Sequence, residues 1–342
     1  MAARPGETVE VQSGEYRLDA PVGTVRPGET DAPITITGPA DAVLRPTKEM
    51  VVFNLNHSHV HLTGLTIDGL TDLSRPQDLD AYGGVVLVRC TPRRDTDEYL
   101  TDIAIRPARL GHSIRPLVVV KRSRNVDVGE FEVTGLAGAS YVLTGTNQSH
   151  AGEFVYLGTP PSAYGTRHHP WTDIDKTNDI RVHHIDNSAG HPHSELVNPK
   201  MGTHDLVVEY CTDAGGSQNN EPYPAASAHM QSIDSTVRWC KFGGGQGYGI
   251  HVNAGAKGAL NEIDGHDLTA DQIGSGHRIY GNVVEEYDDQ AIKYSATSAD
   301  AQETVCGNSV SGTTDGTPAD SCGDDVPSGD GVGHLGGDSP WS

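Results

Sequence analysis

A carboxylate and a lysine stand at the two ends of one short strand-like run, at Glu195 and Lys200. Lysine is scarce in this chain, with seven residues against 17 arginines, and a Gly-Thr turn at 202–203 comes soon after Lys200. A lysine can act as a general base where burial or nearby cations lower its pKa. Residues 152–159 have the same pattern and carry Glu153. Lys200 is therefore the candidate base, and the alternative is a solvated lysine that ends a strand.

Other polar side chains occupy matching positions in the later strand-like runs. Strict alternation places Leu196, Ile250 and Ile292 inward and turns Val197 outward with the polar residues. A solenoid can hold a long polymer along such a face. We expect catalysis to involve Lys200, Arg238 and His251. We expect substrate contacts from Lys293, Gln231, His229 and Tyr156.

Two kinds of strand-like run alternate along the chain, at a repeat of roughly 20 to 30 residues. The first series comprises residues 59–62, 125–128, 179–182, 205–208, 235–238 and 277–280. The second comprises residues 154–156, 196–198, 230–232, 250–252 and 292–294. No stretch longer than a turn or two has helical periodicity. The pattern predicts an all-β chain folded as a right-handed parallel β-helix, a solenoid of one domain.

The composition favours the same fold, because 41 glycines, 20 prolines and a hydrophobic share of 35% leave little for long amphipathic helices. A β-propeller is the alternative fold. Its blades repeat every ~40 to 50 residues with signature residues that this sequence lacks. We expect residues 1–311 to form the β-helix and residues 312–342, rich in Gly and Asp, to form a loosely packed tail.

The chain is strongly acidic, with 46 acidic and 24 basic residues and a net charge of −22. Such a surface makes nucleic acid an unfavourable partner and is typical of adaptation to high salt. The charge is uneven, since residues 89–124 hold nine of the basic residues and only four acids. This segment offers a polyanion a local basic face, or else its arginines pair with neighbouring acids.

Five cysteines allow two disulfides and one free thiol. Cys306 and Cys322 flank a Gly/Asp/Thr loop and are expected to pair. Cys211 and Cys240 occupy the same position in successive repeats and are either a second disulfide or two stacked thiols, which leaves Cys90 alone. Cysteine pairs favour an exported, extracellular protein whose leader is missing from this sequence. No apolar run is long enough for a membrane span, and we expect a monomer.

The N-terminal segments at residues 5–16 and 32–38 resemble the opening coils of pectate-lyase-like β-helix proteins. Residues 152–159, 179–182 and 193–200 resemble the central coils of polysaccharide lyases of the alginate-lyase and chondroitinase-B type. That resemblance implies a lysine base, Lys200, which takes the C5 proton of a uronate sugar. It also implies a calcium ion, with Glu195 as a ligand, that neutralises the sugar carboxylate.

The sequence departs from that family at two places. His193 stands where the family has an acid two residues before the glutamate, and the Arg-His pair of the next coil has no clear counterpart. Because calcium takes several oxygen ligands, Glu195 alone does not form a calcium site and other side chains have to contribute ligands. The predicted metal ligands are Glu195, Glu153, Asp186, Asn187 and His193. Seven histidines between residues 168 and 204 allow a transition-metal site as an alternative, although no HExxH spacing occurs.

Three functions fit this sequence. The first is a polysaccharide lyase that cleaves a uronate-containing, acidic polysaccharide by calcium-assisted β-elimination. The second is a β-helix glycoside hydrolase that uses a pair of acids such as Asp288 and Asp289. The third is a non-catalytic, carbohydrate-binding surface β-helix. The fold alone does not separate these three, because function resides in the site.

Overall fold

The computed structural model describes residues 3–94, 96, 98–144, 152–160, 163–164, 171, 173–217, 225–253, 274–295, 304–314 and 322. Its named strands pair in parallel with the strands of the preceding and following coils. Successive parallel strands joined by crossovers wind in a right-handed sense. The strands form three faces, and the predicted all-β, right-handed parallel β-helix is confirmed.

The first face contains strands from ten successive coils. They are β1 (Thr8–Glu10), β4 (Ile34–Thr37), β7 (Val60–Thr63), β10 (Leu100–Arg106), β13 (Ser123–Val133), β15 (Asn178–Asn187), β17 (His204–Glu209), β20 (Thr236–Arg238), β23 (Arg278–Tyr280) and β26 (Thr304–Cys306). The strands β13 and β15 are long enough to continue onto the second face.

The second face continues each coil after a tight turn. Its further strands are β2 (Gly14–Leu18), β5 (Ala42–Pro46), β8 (Thr66–Asp68), β11 (Arg109–Gly111), β18 (Thr212–Asp213), β21 (Lys241–Gly245), β24 (Val283–Tyr287) and β27 (Ser309–Val310). At the turn from the first face, His184, Tyr210 and Trp239 each adopt a left-handed backbone, with φ of 49°, 54° and 53°. A single left-handed residue at this corner turns the chain from the first face to the second without an added loop.

The third face is a separate nine-stranded sheet. Its strands are β3 (Val22–Gly23), β6 (Met50–Leu55), β9 (Gly84–Cys90), β12 (Val118–Val120), β14 (Val155–Leu157), β16 (Glu195–Pro199), β19 (Ala226–Met230), β22 (Tyr248–Asn253) and β25 (Gln290–Ser295). The helical elements named here are α1 (Ala139–Val142) and a 3-10 turn (Leu79–Ala81).

The core is a continuous stack of aliphatic side chains inside the coils. On the third face, Val155, Val197, Ala228, Ile250 and Ile292 follow one another in register. The prediction that Val197 points outward is therefore wrong. Its side chain is fully buried and occupies the position that the sequence pattern assigns to Leu196.

The reason is that four successive coils turn two consecutive residues inward. The fully buried pairs are Leu87 with Val88, Leu117 with Val118, Phe154 with Val155, and Leu196 with Val197. In the first of them both amides donate to the carbonyl of Leu117, at 3.1 and 2.9 Å, which is a local bulge. The doubled position shifts the alternation, so that the residues on either side of each pair face outward.

The structure decides between the alternative states of the five cysteines. Cys306 and Cys322 form a disulfide, as predicted. Cys211 and Cys240 are stacked free thiols, and Cys90 is also free and buried.

The boundary at residue 311 stays a prediction, because most of residues 312–342 lies outside the described residues. No helix in the described ranges is long and apolar enough to cross a membrane.

The doubled inward pair can be tested with Val197→Ala. Removal of buried methyl groups from a packed core should lower the free energy of unfolding by about 2 kcal/mol. Val25→Ala is the matched control, because Val25 is 58% exposed and should change stability by less than about 0.5 kcal/mol. Urea denaturation measures both. Equal effects of the two substitutions would contradict the inward position of Val197.

Candidate functional site

Polar side chains line the outer surface of the third face. Tyr156 lies in register with Asn198, and His229 lies in register with His251 and Lys293. Lys200 and Gln231 occupy the next outward position, two residues further along their coils. Their amides are anchored by hydrogen bonds of 2.8 Å to the Leu157 carbonyl and of 3.2 Å to the Pro199 carbonyl.

The strand ends place Lys200 in a half-buried position above an aromatic ring. Its Nζ lies 4.9 Å from the centroid of the Tyr156 ring. Burial lowers the pKa of Lys200, while the carboxylates of Glu153 and Glu195 partly oppose that effect. Burial, followed by the charge of Glu153, raises the pKa of Tyr156 well above its usual value. Lys200 is thus suited to accept a proton, and Tyr156 remains a hydrogen-bond donor.

A pair of buried carboxyl groups, Glu153 and Glu195, precedes the doubled inward residues on adjacent coils. Their exposures are 1% and 4%. Burial and the charge of Glu195 raise the pKa of Glu153 to about 8. Burial works against ionisation of Glu195 as well, but its hydrogen bond to His229, at 3.3 Å, and its bond from Ser194 hold its pKa below the usual value. One member of the pair is therefore ionised and the other readily carries a proton.

Three oxygen-bearing side chains could hold a cation here. Glu153 Oε2 and Asn198 Oδ1 are buried and have no hydrogen-bond partner among the described residues. Asn198 Nδ2 approaches Glu153 Oε1 at 3.4 Å, and Glu195 lies on the same coil as Asn198. Carboxylate and amide oxygens are the ligands that calcium prefers. In the described ranges, no cluster of three or more His, Cys, Asp or Glu side chains has metal-site geometry.

The histidines of the third face form a stacked pair beside this site. The rings of His229 and His251 are 4.8 Å apart and nearly parallel, and Tyr248 packs against His251. Nε2 of His229 is within 2.9 Å of Asn253 Nδ2 and 3.4 Å of Gln231 Nε2. The structure therefore brings Gln231, His229, His251 and Lys293 to one continuous surface, which also carries Lys200.

Arg238 does not belong to this surface. It lies on the first face, where its Nε donates to Glu209 Oε2 at 2.7 Å and its Nη1 donates to the Tyr280 hydroxyl at 3.1 Å. Arg181 binds the other oxygen of Glu209 at 2.7 Å. Because Glu209 is fully buried and held by both guanidinium groups, Arg238 is a structural ion-pair partner and is removed from the candidate catalytic set.

Three predicted metal ligands also lie elsewhere. Asp186 is on the second-face end of β15, where its Oδ1 accepts the Ser188 amide at 2.9 Å. Asn187 donates to Asp213 Oδ1 at 2.9 Å, and His193 Nε2 lies 3.0 Å from Asp213 Oδ2. His193 turns inward because its ring packs on Phe154 at 4.4 Å. Asn187 and His193 thus belong to a buried network around Asp213, and Asp186 lies at a separate turn, so none of the three is on the outer surface of the third face.

That network continues to two hydroxyl groups. Ser227 Oγ donates to Asp213 Oδ2 and lies 2.6 Å from the Tyr287 hydroxyl. Burial alone would raise the pKa of Asp213, but the His193 charge and the hydrogen bonds hold that pKa below its usual value. The network fixes the strand that begins at Glu195, two residues from His193.

Asp288 and Asp289, the acids considered for a hydrolase, are exposed at the turn after β24. Their amides donate to the carbonyls of Gly245 and Gly247, at 3.1 and 3.0 Å. These side chains lie on a turn outside the Glu153–Glu195 site. Of the carboxyl pairs considered, the one on the third face is the buried one.

Asn198 and Lys121 are site residues that sequence reasoning missed. Residues 118–121 (Val-Val-Val-Lys) end in a lysine at the position that Lys200 holds in residues 197–200 (Val-Asn-Pro-Lys). Nζ of Lys121 lies 5.6 Å from the same Tyr156 centroid. Alignment of these two strand ends would have predicted Lys121. Asn198 follows from the register once Val197 is known to point inward.

No protein-family model matches the chain, and no curated protein matches it in sequence. Solved structures do match. The crystal structure of an alginate lyase from Paenibacillus sp. strain FPU-7 superposes with a TM-score of 0.56 at 14% identity, over 92% of this chain and 93% of that one. The pectate lyase Pel9A gives a TM-score of 0.47 at 13% identity, over 92% of this chain and 71% of that one.

The chain has the parallel β-helix fold of the Paenibacillus alginate lyase. The resemblance to pectate-lyase-like β-helix proteins is therefore confirmed at the level of the fold. Because one fold carries many activities, function has to be argued from the third face.

Removal of Asp213 should show that the buried network is structural. Asp213→Ala leaves His193, Asn187 and Ser227 buried without their common partner and should cost about 3–5 kcal/mol of stability. Guanidinium denaturation measures the loss. Asp288→Ala is the control, because that side chain is exposed and should shift stability by less than about 0.5 kcal/mol. A loss below about 1 kcal/mol at Asp213 would contradict the network's role.

Proposed function

We propose that this protein is a polysaccharide lyase that cleaves a uronate-containing polymer by β-elimination on its third face. The observation that carries the proposal is the set of Lys200, Tyr156 and the buried Glu153–Glu195 pair on adjacent coils. The likeness to an alginate lyase supports it at the level of the fold. The disulfide between Cys306 and Cys322 supports an extracellular location.

Lys200 is the proposed base. A half-buried lysine with a lowered pKa can be neutral at the moment of reaction and take the C5 proton, which the neighbouring carboxylate makes weakly acidic. The electron pair of the C5–H bond then forms the C4–C5 double bond, and the C4–O bond breaks with its electron pair on the departing sugar oxygen, which takes a proton from solvent water. The protonated Tyr156 hydroxyl donates a hydrogen bond to a sugar oxygen beside Lys200.

Glu153, Glu195 and Asn198 are the proposed cation ligands, in place of Asp186, Asn187 and His193. Their oxygen atoms suit calcium, and the unpartnered atoms of Glu153 and Asn198 support the assignment. Bound calcium would supply positive charge that stabilises the enolate-like intermediate at the sugar carboxylate. Ser194 and His229 orient the Glu195 carboxylate through their hydrogen bonds.

Gln231, His229, His251 and Lys293 are proposed substrate contacts further along the sheet. His251 lies on β22, two coils from the strand of Lys200, and stacked strands are about 4.8 Å apart. At that distance His251 contacts a neighbouring sugar rather than the reacting proton. The polymer then extends along the polar surface of the third face.

One observation favours a second candidate, a glycoside hydrolase. Glu153 and Glu195 lie on adjacent coils with their pKa values pushed apart, the pKa of Glu153 upward by burial and that of Glu195 downward by its hydrogen bonds. An acid that stays protonated beside one that is ionised is the pair a glycosidase uses. In that case Glu153 is the general acid and Glu195 the nucleophile or base.

An ultraviolet assay on alginate, pectate and other uronate polymers tests the proposal. Elimination creates a C=C bond that absorbs in the ultraviolet, whereas hydrolysis yields reducing ends without new absorbance. In the lyase, Lys200→Ala and Lys200→Arg should each lower kcat by about 100-fold or more, because guanidinium stays protonated and alanine has no base. Reducing ends without absorbance would favour the hydrolase. Near-normal turnover by both variants would remove Lys200 as the base.

The cation proposal predicts that chelation abolishes the ultraviolet signal and that calcium, rather than zinc, restores it. Glu195→Gln should raise the calcium concentration needed for half-maximal rate, because a neutral amide binds calcium more weakly than a carboxylate. Isothermal titration with calcium measures the same loss without turnover. Full activity after exhaustive chelation would show that protein cations neutralise the sugar carboxylate instead.

A further inference from the structure

Lys121 shares an outward column with Lys200 on the third face. The column is defined by three backbone hydrogen bonds between successive coils. The amide of Lys121 donates to the Cys90 carbonyl at 2.9 Å, that of Gly158 to the Val120 carbonyl at 2.8 Å, and that of Lys200 to the Leu157 carbonyl at 2.8 Å. Gly158 therefore stands between the two lysines.

Glycine at residue 158 adds no side chain to the column between the two lysines. Its backbone is left-handed, with φ of 77°, and an added Cβ would lie 2.5 Å from Thr203 Oγ1. Residue 158, which lies between the two lysines along the column, therefore carries no side chain. Both ammonium groups stand over one ring, that of Tyr156, at 5.6 Å for Lys121 and 4.9 Å for Lys200.

Acidic residues act on the two lysines only at a distance. Within the described residues, neither Nζ lies within ion-pair distance of a carboxylate. Burial lowers the pKa of Lys121, Asp175 opposes that shift, and the charges of Lys200 and Arg89 lower the pKa further. Lys121 is therefore a half-buried cation that a substrate carboxylate can pair with.

Three other basic residues of the segment 89–124 do have an ion-pair partner. Arg106 is paired with Asp127, Arg109 with Glu132 at 2.9 Å, and Arg122 with Asp173 at 2.8 Å. Of this segment, Arg89 and Lys121 project from the third face toward the candidate site, and the Nε of Arg89 binds the neutral Asn54 at 2.9 Å. Arg89 and Lys121 are thus basic residues of this segment that lie on the third face, close to the candidate site.

We propose that Lys121, which stands across Gly158 from the base Lys200, binds the carboxylate of the uronate sugar next to the one that reacts. The Tyr156 ring forms the floor of this subsite, and Arg89 extends its positive potential by one coil. Lys121 is a substrate-binding residue in this assignment and takes no proton. The inference rests on the proposed function, since it assigns a second sugar of the same acidic polymer.

The test uses a variant that keeps both charges and cannot abstract a proton. Lys200→Arg retains the cation, and in that background binding of alginate and pectate tetrasaccharides is followed by isothermal titration calorimetry with calcium present. Addition of Lys121→Met should weaken the affinity for the tetrasaccharide that binds by about 10- to 100-fold, the value of one charge-assisted hydrogen bond. Lys121→Arg should keep most of the affinity. In the parent background, Lys121→Met should raise KM with little change in kcat.

Lys241→Met is the matched control, because Lys241 is exposed on the second face and its loss changes the net charge equally. It should leave tetrasaccharide binding within about twofold, since distant exposed charges are screened. A carboxyl-reduced, neutral tetrasaccharide should bind more weakly and be insensitive to Lys121→Met. Thermal unfolding confirms that each variant is folded.

Several outcomes would overturn the inference. They are unchanged affinity in Lys121→Met, a loss equal to that of Lys241→Met, an equal loss for the neutral sugar, or no binding of either tetrasaccharide. Failure of the proposed function is a separate observation, namely no ultraviolet-absorbing product from the parent on any uronate polymer. Binding that depends on Lys121 without such a product would retain the subsite and discard the lyase.

Discussion

The hydrogen-bonded register of the third face is the constraint on which the candidate site depends. Parallel coils repeat at about 4.8 Å, so residues at equivalent positions are forced into columns whatever their charge. This register places Glu153 beside Glu195 and aligns Lys121, Gly158 and Lys200. Burial and the charge of Glu195 together raise the pKa of Glu153, whereas the hydrogen bonds with His229 and Ser194 keep the pKa of Glu195 below its usual value.

On the first face, the same stacking of coils brings charged side chains together as ion pairs. Glu209 is fully buried, and both of its oxygens are held by arginines at 2.7 Å. Arg238 also packs on Trp239, with its Cζ 4.3 Å from the ring centroid. A carboxylate whose two oxygens are both bound by arginines, and the arginines that bind it, are not available to bind substrate. On the third face, Glu153 and Asn198 retain buried oxygen atoms without partners in the described chain, which is the condition that a bound cation relieves.

The interior supports this surface through polar as well as apolar packing. Asp213 gathers His193, Asn187 and Ser227 directly behind the strand that carries Glu195. A buried network in which one carboxylate holds three side chains resists small displacements, because a movement of Asp213 breaks more than one hydrogen bond. Side chains that depart from the strand two residues away are thereby held in place, which is what a site built on rigid elements requires.

The sequence by itself determined the fold class and most of the outward surface. Alternating apolar residues and a short repeat are sufficient for a β-helix, and they placed His251 and Lys293 on one side because period-2 patterning is a local property. The tertiary structure decided the rest. The doubled inward pair at Leu196 and Val197 is a feature of coil-to-coil packing, and it shifts Asn198 outward in a way that no local pattern reveals. Pairing across coils likewise assigned Arg238 to Glu209 and His193 to Asp213, because partners 29 and 20 residues apart meet only once the coils are stacked.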